Sequence, residues 1–244
     1  MRIFKHLLSY HYLTMVKSAK FIMPLICWIT FILATYSMNP NYVVSTFMMT
    51  ASVLYFIVVW LALIYVELLN PITEQLLLLK VRREHFYNAS KLIFLFLFGS
   101  VLASVALVVP FISNILNSGA VFTRPITGYD YFCGYLLHIV TALLGAATGL
   151  FLAPRILQDR KLAVLLTVGV ALVAFVKIRV IEEISWLRFI LWPFPPLADL
   201  AALFTDVETF SFKSLVFYVL LGGGYSLVLF SINTYLLKKR KFSS

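Results

Sequence analysis

The stretch that decides the fold is Val43–Leu69, V-V-S-T-F-M-M-T-A-S-V-L-Y-F-I-V-V-W-L-A-L-I-Y-V-E-L-L, in which the only charged residue is Glu67. As a helix, it would be about 40 Å long at 1.5 Å per residue. The hydrocarbon core of a bilayer is only about 30 Å thick. The stretch therefore predicts a transmembrane helix that is tilted or projects past the bilayer.

Five further apolar stretches extend this interpretation to the whole chain, with one before Val43 and four after Leu69. Of the 244 residues, 62% are apolar and 12% are charged, whereas a soluble domain has about 25% charged residues. We therefore predict an all-α polytopic membrane protein with six transmembrane helices in a single transmembrane domain, residues 1–244. The five additional predicted spans are Phe21–Met38, Leu92–Ile112, Phe132–Leu152, Leu162–Ile181 and Leu215–Leu237.

The basic residues predict the orientation in the membrane. The chain has 20 Lys and Arg against 10 Asp and Glu, and they lie in short clusters beside the apolar stretches. With the N-terminus inside, fifteen of the 20 fall on inner segments and five on outer segments. The positive-inside rule then predicts a multi-pass protein of the inner (cytoplasmic) membrane with both termini cytoplasmic. The expected surroundings are a lipid bilayer, and no nucleic-acid partner is expected.

Residues 1–20 are too polar to span a membrane, but their pattern is amphipathic. This predicts a helix lying in the membrane interface with its basic side toward the headgroups; a merely basic leader is the alternative. The predicted apolar face consists of Ile3, Phe4, Leu7, Leu8 and Met15, and the polar face of Arg2, Lys5, Ser9 and Lys20.

Residues 183–205, E-I-S-W-L-R-F-I-L-W-P-F-P-P-L-A-D-L-A-A-L-F-T, are strongly apolar but interrupted by Pro193, Pro195 and Pro196. Each half would form a helix of roughly 13 Å, too short to cross the bilayer. We predict a re-entrant outer hairpin between the fifth and sixth spans, with Asp199 in the first turns of its second helix. An irregular apolar loop on the surface is the alternative.

The segment between the second and third spans is a charged elbow, with Glu67 before it and E74-Q-L-L-L-L-K80-V-R-R-E-H-F-Y-N-A-S-K91 within it. The chain has, in order, a basic amphipathic helix, six predicted spans with both ends inside, this elbow after the second span and an outer hairpin after the fifth. In this order of segments it resembles a type-2 ABC exporter permease, the transmembrane subunit of an ATP-binding-cassette exporter. The resemblance implies that residues 71–86 are the cytoplasmic coupling region that docks on a separate ATPase. The implied ATPase-coupling residues are Glu74, Lys80, Arg82, Arg83 and Glu84.

Two features qualify this interpretation of the elbow. Asn70-Pro71 stands where the family often has a Gly-rich turn. A plain solvated loop that follows the positive-inside rule would also explain its basic residues.

The resemblance also implies partners and a function. The expected assembly contains a second permease copy or a paralogue and two copies of an ABC ATPase, which would bind ATP-Mg. The chain has no G-x-x-x-x-G-K-[ST] motif, so we expect ATP hydrolysis in the separate subunit and neither enzyme activity nor a cofactor in this chain. Cys27 and Cys133 form no C-x-x-C pair, so we predict no metal site. The alternative function is a non-transporting membrane immunity or assembly factor.

Aromatic residues in the first two spans are candidates for a substrate path. They could line a route for an amphipathic peptide or a small hydrophobic molecule, although packing in the core or against lipid is the commoner role. The candidate path residues are Trp28, Phe31, Tyr55, Phe56 and Trp60.

Charged and polar residues in the later spans leave two alternatives open. His138 could contact a substrate or proton, or make an interhelical hydrogen bond. The outer end of the fifth span could line a vestibule, or its long side chains could extend to the membrane interface. Its charged residues are Lys177, Arg179, Glu182 and Glu183.

Overall fold

The computed structural model describes residues 2–81, 84–152, 156–157, 159–205 and 207–239. Over these ranges, the chain consists of helices joined by short connections. A single turn of 3₁₀ helix, Ser185–Leu187, precedes the eighth α-helix. The α-helices are α1 (Arg2–Ser18), α2 (Ile22–Ser37), α3 (Val43–Leu68), α4 (Pro71–Val81), α5 (Glu84–Leu116), α6 (Gly128–Phe151), α7 (Arg160–Glu183), α8 (Arg188–Leu191), α9 (Leu197–Ala202) and α10 (Phe212–Lys239).

Five of these helices, α3, α5, α6, α7 and α10, are each long and apolar enough to cross a membrane. The pair α1 and α2 passes the same test together, but the chain bends by 83° between them. At this bend, Ala19 adopts a left-handed backbone conformation with φ of 55°. Helix α2 alone has 16 residues and is about 24 Å long. The chain is therefore a helical membrane protein with five candidate spans among the described residues, or six if the bent pair counts as one.

The helices alternate in direction, which gives the bundle two distinct ends. At one end, α1, α4, the end of α3 and the start of α7 meet, and we call this the basic end. Glu67 there pairs with both Lys20 and Arg160. At the opposite end, the residues before α3 pair with the connection between α5 and α6 through Asn41 and Val121. Asn233 of α10 donates to the carbonyl of Leu150 near the end of α6. Helix α1 and the end of α10 therefore lie at the same end.

Helices α3 and α6 form the centre of the bundle. They run parallel and lie very close together because glycines of α6 face α3: Gly134 lies against Phe47, Gly145 against Tyr55, and Gly149 against Ala62. The apolar segments of both helices are mostly buried, whereas only about a quarter of the residues in those of α7 and α10 are buried. An apolar exposed surface is what lipid or a second subunit would cover.

The connection between α5 and α6 is fixed by an arginine. Arg124 forms two hydrogen bonds to the carboxylate of Asp130, at 2.7 and 2.9 Å, and donates to the carbonyl of Glu208 at 3.1 Å. The hydrogen bond with Asp130 raises the pKa of the Arg124 guanidinium. Asp130 also forms a capping box with Thr127 at the start of α6. Arg124 therefore links the connection between α5 and α6 to the start of α6 and to the segment before α10.

Candidate functional site

Helix α4 forms the elbow between α3 and α5 at the basic end. Its start follows from Asn70-Pro71: the side-chain oxygen of Asn70 accepts from the amide of Ile72 at 2.9 Å, and Pro71 occupies the first helical position, where it has no amide to leave unpaired. The helix ends at Val81. Helix α4 therefore forms the first part of the predicted coupling region, residues 71–86.

One face of α4 packs against the bundle through a buried ion pair. Glu74 is buried and accepts a short hydrogen bond from Lys91 of α5. The ammonium of Lys91 also lies over the ring of Tyr87, 4.3 Å from its centroid. One turn further along α4, Leu78 packs with Tyr87 and with Leu7 of α1. This face ties α4 to both α5 and α1.

The other face of α4 is apolar but exposed. Ile72, Leu76 and Leu79 are spaced four and three residues apart, so they form one stripe along the helix. All three are more than 60% exposed, and Lys80 beside them is exposed as well. An exposed apolar stripe next to a cation is typical of a surface that a partner covers.

The five predicted coupling residues are thus distributed over different environments. Glu74 is directed inward, to Lys91, and Lys80 is exposed. Glu84 begins α5 and is half-buried. Arg82 and Arg83 lie outside the described residues. Contact of these side chains with an ATPase stays a prediction, whereas the internal pairing of Glu74 is a structural finding.

A buried histidine joins α1 to the same region. His11 is completely buried, with Nδ1 2.7 Å from the hydroxyl of Tyr65 in α3 and Nε2 2.8 Å from the hydroxyl of Ser90 in α5. Ser90 donates to the carbonyl of Tyr87, so Nε2–H donates to Ser90 and Nδ1 accepts from Tyr65. The amphipathic pattern of residues 1–20 did not predict this role of His11. Its signal is the four-residue spacing of Leu7, His11 and Met15, all of which are buried.

The segment at 183–205 contains two α-helices that are shorter than predicted, α8 with four residues and α9 with six, and its halves differ in exposure. Helix α8 and its flanks expose Trp186, Phe189 and Trp192, whereas Leu197 and Leu200 of α9 are fully buried. Pro196 occupies the N-cap position of α9, without a side-chain capping bond, and Asp199 lies in the first turn of this helix. The exposed apolar half around α8 and the packed half around α9 are compatible with a re-entrant hairpin.

Polar contacts hold this hairpin to α7 and α10. The buried Lys177 of α7 pairs with Asp199 and lies 3.5 Å from the carbonyl of Phe194. Tyr225 of α10 donates to the carbonyl of Pro193. The proline turn thus has partners for two of its backbone carbonyls, which unpaired would be costly in an apolar environment. Lys177 therefore contacts the hairpin and does not extend into solvent.

The adjacent charges at the end of α7 are exposed. Arg179 pairs with Glu182 at 3.2 Å, three residues along the helix. Glu182 and Glu183 are exposed.

The five predicted path residues are separated into two groups. Trp28 is completely buried, donates to the carbonyl of Leu102 at 3.1 Å and stacks on Phe31. Tyr55 is also completely buried and packs edge-on against Phe56. Trp60 is 39% exposed and lines a cleft at the basic end. Trp28 and Tyr55 therefore contribute to the packed core, and Trp60 to a surface.

His138 makes the interhelical hydrogen bond that was one of its two predicted roles. Its Nε2 lies 3.0 Å from the hydroxyl of Thr50 in α3, and Nδ1 lies 2.6 Å from the carbonyl of Gly134. Since only Nδ1–H can donate to a carbonyl, Nε2 accepts from Thr50. His138 is fully buried, so it links α6 to α3.

No family model matches the sequence, and neither the curated proteins nor the solved structures include a significant match. Within the part of the chain that the structure describes, no three His, Cys, Asp or Glu side chains come together as metal ligands. The function is therefore inferred from the arrangement of α4, the hairpin and the bundle.

Proposed function

We propose that the chain is the transmembrane permease subunit of an ATP-driven exporter, and that a separate ATPase docks on α4. The observation that carries this proposal is the construction of α4. Its inner face is fixed by the Glu74–Lys91 pair, while Ile72, Leu76 and Leu79 remain exposed. A helix that is anchored on one side and apolar on the other suits the transmission of force from a soluble partner.

The packing supplies a route for such force. Lys91 lies in α5, a continuous helix of 33 residues, which is about 50 Å long and reaches both ends of the bundle. Helix α1 contacts the same region through Leu7 and His11. Displacement of α4 would therefore move α5 and α1 with it, as one packed element shifts against another.

The hairpin, at the end of the bundle opposite to α4, also supports the exporter proposal. Helix α9 lies beside α3, α7 and α10 at the opposite end, where it could close a path on its outer side. With the basic end in the cytoplasm, as the Lys and Arg distribution predicts, the ATPase would bind inside and the hairpin would face outward. An amphipathic peptide or a small hydrophobic molecule is the cargo class that the apolar bundle favours.

Reversing two charges beside α4 tests the coupling region. In the variant Arg82→Glu/Arg83→Glu, we expect the ATPase to co-purify at least tenfold less with the permease, because each charge-assisted contact contributes about 1.5–3 kcal/mol. The measurement is quantitative mass spectrometry of proteins retained by the tagged permease in mild detergent.

The matched control is Lys238→Glu/Lys239→Glu, which makes the same change in charge at the end of α10. This control should retain the ATPase. Equal retention by both variants would reject the coupling assignment. If the wild-type chain retains a membrane protein but no ATPase, the immunity or assembly role would be favoured instead.

Single cysteines test the hairpin. In a background lacking Cys27 and Cys133, cysteines at Ser185 and Thr205 should react with an impermeant thiol reagent added outside intact cells. Both positions are exposed, whereas Phe194 is half-buried in the proline turn and a cysteine there should be protected. Labelling of Ser185 and Thr205 from opposite sides of the membrane would instead make the segment a true span.

A further inference from the structure

A cleft of about 190 Å³ lies between α3, the end of α6 and the start of α7 at the basic end. Its walls are mostly apolar and include Trp60, Leu63 and Ile64 of α3 and Ala163 and Val164 of α7. Trp60 and Val164 are both exposed. The cleft therefore opens sideways, onto the surface of the bundle that faces the membrane.

Two cations meet one carboxylate at the polar end of this cleft. Glu67 and Arg160 line it, and Glu67 accepts from Arg160 at 2.7 Å and from Lys20 at 2.8 Å. The side chains of Lys20 and Arg160 remain about half exposed. The neighbouring Asp159 caps the start of α7, where its side chain accepts from the amides of Lys161 and Leu162. Within the described residues, Lys20 and Arg160 thus share the carboxylate of Glu67, and both side chains are exposed enough to contact a further anion.

We infer that this cleft binds the headgroup of an anionic phospholipid. Its phosphate would contact the guanidinium of Arg160 and the ammonium of Lys20, because arginine donates two parallel hydrogen bonds to phosphate oxygens. Basic pockets between transmembrane helices select anionic headgroups in this way. The cleft has room for a headgroup, and an acyl chain would lie along the apolar opening formed by Trp60 and Val164.

The lateral opening favours a lipid over free phosphate. An inorganic anion would use the cations but would leave the apolar walls uncovered. The inference does not depend on the exporter proposal, because it uses a different face of the bundle from α4.

Trp60 provides the readout for a direct test. In the background Trp186→Phe/Trp192→Phe, the remaining tryptophans are Trp60 and the buried Trp28. The purified chain is reconstituted in phosphatidylcholine vesicles with a low fraction of chain-brominated phosphatidylglycerol or chain-brominated phosphatidylcholine. We expect stronger quenching by the phosphatidylglycerol, and adding Trp60→Phe should remove the difference.

Charge removal then tests which residues bind the headgroup. Lys20→Gln and Arg160→Gln should each weaken the preference for phosphatidylglycerol about fivefold, whereas the matched control Lys238→Gln/Lys239→Gln should retain it. Arg160→Lys, which keeps the charge without the planar donor pair, should retain part of the preference. The helical signal in circular dichroism identifies any variant that fails to fold. If Arg160→Gln fails to fold, the partial loss of preference expected for Arg160→Lys still tests the role of Arg160.

Three results would overturn the inference. Equal quenching of the unsubstituted cleft by both brominated lipids would exclude a selective lipid site. An equal loss of preference in the Lys238→Gln/Lys239→Gln control would show a general surface effect. Loss of the preference on addition of millimolar inorganic phosphate at constant ionic strength would identify a free-phosphate site instead.

Discussion

Replacing Glu74 by glutamine should lower the free energy of unfolding by about 3–5 kcal/mol, the range found when one partner of a buried ion pair is removed. The side chains of Glu74 and Lys91 are only 11% and 9% exposed. The substitution keeps the shape of the side chain but removes a negative charge that pairs with the buried Lys91 ammonium. The change is measured as the shift of the unfolding transition in mixed detergent micelles.

The chain offers a matched control for this result. Glu67 also pairs with cations, but its side chain is 37% exposed and its partners are about half exposed. Glu67→Gln should therefore cost only about 0–1 kcal/mol for each pair. A second variant, Glu74→Gln/Lys91→Met, should recover part of the loss because it also removes the buried charge. Similar losses for Glu74→Gln and Glu67→Gln would contradict the buried position of the pair.

Hydropathy alone predicted the positions of five candidate spans, whereas the first predicted span, Phe21–Met38, corresponds to α2, which is a candidate span only together with α1. The predicted span Val43–Leu69 corresponds to α3 at Val43–Leu68, because a long apolar run in a bilayer has only helix available to it. The helix ends were less predictable. The predicted span Leu92–Ile112 is only the apolar part of α5, which runs from Glu84 to Leu116. Hydropathy marks the section inside lipid, whereas the helix continues into polar surroundings.

Side-chain partners could not be predicted in the same way. Of the apolar face predicted for α1, Leu7 and Met15 are buried against protein, whereas Ile3 is exposed. Lipid and a protein core favour the same apolar side chains, so the amphipathic pattern cannot distinguish them. Lys91 likewise fits the positive-inside rule, but its contact with Glu74 depends on how the chain turns between α4 and α5.

The close approach of α3 and α6 leads to the second large effect. A Cβ atom at Gly145 would lie 2.7 Å from the carbonyl oxygen of Tyr55, and one at Gly149 would lie 2.4 Å from the Cβ of Ala62. Neither neighbour is the flexible end of a side chain, so the helices must move apart. Gly145→Ala and Gly149→Ala should each cost about 1–3 kcal/mol. The double variant should cost less than the sum, because one displacement of α3 relieves both clashes.

Glycines of α10 give the opposite expectation and serve as the control. A Cβ atom at Gly223 or Gly224 would have no heavy atom within 4 Å among the neighbours that the structure describes. Alanine is favoured over glycine inside a helix by about 0.5–1 kcal/mol, so Gly223→Ala/Gly224→Ala should raise the unfolding midpoint in detergent, whereas Gly145→Ala/Gly149→Ala should lower it. A midpoint shift of the same sign for both pairs would show that α3 and α6 are not packed as closely as described. Opposite signs would locate the tight core of the bundle at the α3–α6 contact, around which α5, α7 and α10 pack.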